Sequence, residues 1–167
     1  MKRLLLSICV LASATPFASA SPELAEKWGA NATRLYTESV AHLSRIETDR
    51  TLIPPKDAYI DQTLRFAIQA SRLGKWMDEN TDTRDFGCIF RGMSEEADLQ
   101  VQSLETAGSA TDQVAALKRM IAMFDDAQTI AVAAIDVAQT GAASEGQIPR
   151  QCRANRATLD QYFTEQP

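Results

Sequence analysis

The sequence is poor in the residues from which most reactive sites are built. It holds one histidine, His42, three cysteines and only 7% aromatic residues. A tetrahedral zinc site needs more His and Cys than that. Di-iron bundles need Glu-x-x-His motifs, and none occurs. Neither Cys-x-x-Cys-His nor Gly-x-Ser-x-Gly is present, so covalent haem attachment and a hydrolase nucleophile elbow both lack their motif. Asp85-Phe86-Gly87 matches a kinase tripeptide, but the rest of the kinase set is missing. No run alternates apolar with polar β-branched residues, so nothing predicts a strand. Seven glycines and six prolines fall at apparent boundaries, the punctuation of a helical protein. Basic residues are outnumbered, 17 against 22 acidic. Nucleic acid and anionic lipid both need a basic surface, so neither is an expected partner.

The N-terminus has the three parts of a secretory signal peptide. Lys2 and Arg3 are positive, Leu4 to Ala12 form a short uncharged apolar run, and Ala18-Ser19-Ala20 is a small-x-small cleavage site. The run falls short of the ~20 residues that span a bilayer. Residues 1–20 are therefore expected to be cleaved, leaving 21–167 as a single helical domain in the periplasm or outside the cell. Losing Lys2 and Arg3 takes the basic residues to 15 and the formal charge from −5 to −7. Ile130 to Ala138 is too short to span a membrane and contains Asp136, so no membrane insertion of the mature chain is expected.

Cleavage also removes Cys9. Cys88 and Cys152 remain, in a compartment where disulfides form and persist. Their pairing closes a loop of about 65 residues, worth about 4 kcal/mol in the chain-entropy model.

Helical periodicity covers most of the rest. Helix 1 is capped by Ser21, opens on Pro22 and ends near Asp49, with Leu24, Trp28, Ala32, Leu35, Ser39, Leu43 and Ile46 on one stripe. Thr51 to Pro55 reads as an extended link. Helix 2 runs from about Lys56 to Asp78. One stripe is Ile60, Leu64, Ala67 and Ser71, and its neighbour is Tyr59, Phe66, Ala70, Leu73 and Met77. Helix 3 runs from about Phe86 to Thr106, with Ile89, Met93, Ala97, Val101 and Leu104 inward. Helix 4 starts from Thr111 or Asp112 and stops at Gly141. Its inward series is Val114, Leu117, Ile121, Phe124, Gln128, Ala131, Ile135 and Ala138. Its Ala-rich second half should let a neighbouring helix come close. A short fifth helix after Pro149 would carry Cys152, Leu159 and Phe163 towards the body. The expected fold is all-α, an up-down-up-down four-helix bundle with this fifth helix stapled by the disulfide.

Few residues offer chemistry. No catalytic residue, metal ligand or cofactor is predicted. Asp125-Asp126 and Glu95-Glu96 read as solvated helix faces, and His42 as a surface or boundary residue. Arg150, Arg153 and Arg156 form a basic row on helix 5. Ion pairs with the acidic helix 3 explain that row most simply, and a partner-binding strip is the alternative. The expected function is a non-enzymatic binding protein of a bacterial-type envelope, an inhibitor or immunity protein being one form. The alternative is a small-ligand or haem-binding bundle, with His42 and one of Met77, Met93, Met120 or Met123 as haem ligands.

Overall fold

The computed structural model describes residues 22–81 and 84–140. They form four helices: α1 (Pro22–Asp49), α2 (Ala58–Asn80), α3 (Arg84–Thr106) and α4 (Ala110–Thr140). Among the described residues there is no strand. The expected fifth helix lies outside them. α1 packs chiefly on α4 and α2 chiefly on α3, while α3–α4 and α1–α2 meet along narrower seams. Each helix thus neighbours the next and the first neighbours the last, as in a four-helix bundle with short links.

Local chemistry sets the helix ends. The Asp57 side chain accepts from Tyr59 N at 2.9 Å and caps α2. Ser109, rather than Thr111 or Asp112, caps α4. Its Oγ accepts from Asp112 N at 3.3 Å and lies 2.7 Å from the Asp112 carboxylate, a reciprocal arrangement that satisfies an orphan backbone donor. α1 stops at Arg50, whose φ of 58° is left-handed. Its amide donates to Ile46 O at 3.1 Å, closing the helix as a C-terminal cap does.

The core is built around stacked aromatics. Trp28 of α1 lies 4.8 Å from Phe66 of α2 and 5.0 Å from Phe90 of α3, and Phe66 meets Phe124 of α4 edge-on at 5.0 Å. Four rings, one from each helix, are fully buried at the centre. Aromatic pairs in this range add about 0.5–1.5 kcal/mol each beyond area burial.

Two seams depend on missing side chains. A Cβ on Gly29 would come 2.6 Å from the Ala131 Cβ, so α1 and α4 approach where α4 is Ala-rich. A Cβ on Gly74 would come 2.9 Å from Gly87 O, which locks α2 onto α3.

The buried faces differ from the expected stripes in three places. On α4 the buried residues are Gln113, Ala116, Leu117, Met120, Met123, Phe124, Ala127, Ala131, Ala133, Ala134 and Val137. Val114 and Ile135 lie at their edge, only partly buried. The buried face takes in small alanines as well as larger residues, and Ala131 is the one that meets Gly29 of α1. On α2, Thr63 and Gly74 are buried and Ser71 is exposed. On α3, Phe90 is fully buried while Ile89 is half-buried.

Candidate functional site

The α1–α2 seam opens into a groove of about 560 Å³. From α1 it is lined by Lys27, Asn31 and Arg34, and from α2 by Ala58, Asp61, Gln62, Arg65 and Gln69. On each helix these positions recur at helical spacing, so each set forms one stripe beside the apolar face. The stretch of α2 involved is about 16 Å long at 1.5 Å per residue. Phe66 and Trp28 lie in the core on the same two helices.

The groove reverses the sign of the molecule. The chain carries a formal −5, yet three cations face one carboxylate here. Two of the cations are engaged within their own helix. Lys27 pairs with Glu23 at 2.6 Å, and Arg34 reaches Glu38 at 2.9 Å and Asn31 Oδ1 at 2.5 Å. Such solvent-exposed i,i+4 pairs are weak, so a ligand can displace them. Arg65 makes no ion pair among the described residues, and no ion pair crosses this seam. The other three seams are each crossed by one: Arg91–Asp78 between α3 and α2, Lys118–Glu47 at 3.9 Å between α4 and α1, and Arg119–Glu96 at 3.3 Å between α4 and α3.

The amides of the groove are unusual too. The side-chain oxygens of Gln62 and Gln69 are buried and accept no hydrogen bond from the described residues. Buried polar atoms are nearly always paired, and an exception calls for a reason.

His42 sits at the boundary, half-buried, as expected from sequence. Its ring lies 4.9 Å from the Tyr59 ring, and its Nδ1 is 3.0 Å from an Arg45 nitrogen. Burial pushes the imidazole below its ordinary value, Arg45 adds to this, and Asp57 and Glu38 oppose it. Tyr59 and Ser39 share a hydrogen bond of 2.7 Å, and Tyr59 Oη donates to Met120 Sδ at 3.3 Å. Burial drives the Tyr59 phenol well above its ordinary value. This buried polar group ties α1, α2 and α4 together.

The four methionines named with His42 as haem ligands all lie in or against the core. Met120 is fully buried and its sulfur is taken up by Tyr59. Met77 is fully buried near the far end of α2, about 27 Å from Tyr59 along the helix axis. Met123 is buried and Met93 partly buried in the core. Among the described residues, no three His, Cys, Asp or Glu side chains gather to hold a metal ion. No described helix is long and apolar enough to cross a membrane.

Of the site residues read from sequence, Cys88 lies in the first turns of α3, half-buried. Cys152 and the arginine row Arg150, Arg153 and Arg156 lie outside the described residues.

A second buried polar residue escaped the sequence reading. Gln113, 2% exposed, clamps the α1–α2 link. Its Oε1 accepts from Ile53 N at 2.8 Å, and its Nε2 donates to Ile53 O at 2.9 Å and Leu104 O at 3.3 Å. The signal available was a glutamine in the first turn of an otherwise apolar stripe, opposite a link whose backbone groups needed partners.

No family model, curated protein or solved structure matches this chain.

Proposed function

We propose that this is an exported, non-enzymatic binding protein, and that its ligand is a small molecule held on the α1–α2 face. One observation carries the reading: the open seam, with an arginine and two buried amide oxygens that have no partner among the described residues. A volume of about 560 Å³ is in the range that small ligands occupy. The groups lining it suit recognition. Arginine, lysine and amides bind, and none of them is an activated nucleophile.

Export rests on the N-terminal pattern of residues 1–20. The disulfide between Cys88 and Cys152 belongs to the same proposal. They are the two cysteines that remain after cleavage, and Cys88 is engaged rather than a free thiol. In this reading the bond tethers a short helix after Pro149 to the start of α3, and Arg150, Arg153 and Arg156 pair with acidic residues there. The inhibitor or immunity form of the binding function would instead use such a row against a protein partner.

The test is native mass spectrometry of the protein purified from the envelope or medium of its own host. The expected species begins at Ser21, carries no reactive thiol before reduction, and retains a small molecule. Retention of residues 1–20 would refute export, and two labelled thiols would refute the disulfide. A protein partner in place of a small molecule would favour the inhibitor form.

A further inference from the structure

We infer that the α1–α2 groove is a binding site for a small organic anion that also carries hydroxyl or ammonium hydrogens. The inference rests on the binding function proposed above and names the ligand class. The cations supply the first half of the argument. Arg65 has no acidic partner among the described residues, and Arg34 and Lys27 hold theirs only through exposed pairs on one helix. A guanidinium presents a planar fork of donors that matches a carboxylate or phosphate. The amides supply the second half. Gln62 and Gln69 each bury a side-chain oxygen that accepts nothing from the described residues, and both line the same groove. Turned into the groove by rotation of its side chain, such an oxygen accepts from a hydroxyl or ammonium donor and gains the partner it lacks. The two features lie on successive turns of α2, at positions 62, 65 and 69, so one ligand of modest length can meet all three.

The size of the groove favours a small molecule over a macromolecule. A volume of about 560 Å³ holds a hydroxy acid, an amino acid or a sugar phosphate. A protein partner would need an interface of about 800 Å² from this side, far beyond one seam.

The test is a titration of the ¹⁵N-labelled mature chain followed by NMR. The probes are citrate and inorganic phosphate, with glycerol as the neutral comparison. The side-chain amides of Gln62 and Gln69 and the Nε of Arg65 report on the groove directly. Citrate, which has both carboxylates and a hydroxyl, should shift these signals to saturation and bind more tightly than phosphate. Glycerol should leave them in place. Arg65→Ala should weaken citrate binding about tenfold or more, because a hydrogen bond to a charged group is lost. Arg72→Ala, which removes an exposed cation of α2 outside the groove, should change it little. The inference is overturned if neither anion moves these signals up to about 10 mM, a concentration at which even weak sites fill. It is equally overturned if Arg65→Ala and Arg72→Ala act alike, since that would be general charge attraction. Saturation by an acidic peptide with no response to citrate would also overturn it. Should the native protein retain a small molecule that Arg65→Ala does not release, the binding function stands and the anion assignment falls.

Discussion

The two seams on either side of α1 are built on opposite principles. Towards α4, Gly29 meets Ala131 so closely that it has no room for a methyl group, and Ala25, Ala32, Ala127 and Ala134 on the same two helices are buried. Towards α2, long polar side chains stand where small ones would have let the helices close. The first seam gains dispersion and dry burial along its length. The second leaves polar atoms in the groove wall without partners among the described residues, at a cost to stability. Evolved proteins commonly accept such a cost where a ligand must bind. One helix thus carries a structural face and a candidate binding face, about half a turn apart.

The largest expected effect falls on the layer beneath both seams. Trp28→Ala should cost about 3–5 kcal/mol, since it removes the ring that joins α1 to Phe66 and Phe90. Urea unfolding with an unchanged slope would check it. Gly29→Val should cost about 3 kcal/mol, because the neighbour in its way is an Ala131 Cβ fixed to the α4 backbone. A comparable cost for an Arg65→Ala change, on the other side of α1, would break the distinction between the seams. Gln113→Ala should cost about 2 kcal/mol by stranding the Ile53 backbone groups, which are buried. Hydrogen exchange should then rise first at Ile53, with α4 still protected.

The smallest effect is a pH dependence at His42. Its folded-state value lies below the ordinary 6.5. The unfolded chain therefore takes up the proton first as pH falls. Stability from His42 is fully present above 6.5 and is lost as pH falls from there towards the folded-state value. The half-exposed ring keeps this to under about 1 kcal/mol. Asp98 and Asp126 are raised by burial, Asp126 also by Asp125, so their contribution lies in a separate, more acid window. His42→Gln should flatten the stability curve just below 6.5 and leave the acid limb in place.

Much of this architecture was legible in the sequence. The helix bounds followed from caps and Pro or Gly punctuation, and all four described helices fall within a few residues of expectation. The aromatic core was partly visible, since Trp28 and Phe66 lay on expected stripes. Phe90 did not, because the 89–93–97 series looked equally apolar. The α4 stripe differed for the same reason: Ile121 and Ile135 outweigh alanines in any hydrophobic pattern, yet Ala131 is the residue that meets Gly29. The groove was not legible as a site. Lys27, Asn31 and Arg34 look like the solvated side of one helix, and Asp61, Arg65 and Gln69 like that of another. Only the choice of neighbour and register brings them together. A hint was present in polar stripes at helical spacing directly beside the apolar ones on both helices.

A seam held open for a ligand, and not for stability, should give up binding and gain stability together when its amide oxygens are removed. Thermal unfolding of the wild type and of Gln62→Leu/Gln69→Leu, each with and without citrate, measures both. The double variant removes two buried oxygens that have no partner among the described residues. It should be more stable than the wild type by about 1 kcal/mol in the absence of citrate. It should also lose the stabilisation that citrate gives the wild type. A variant that is less stable, and that responds to citrate as the wild type does, would contradict the account.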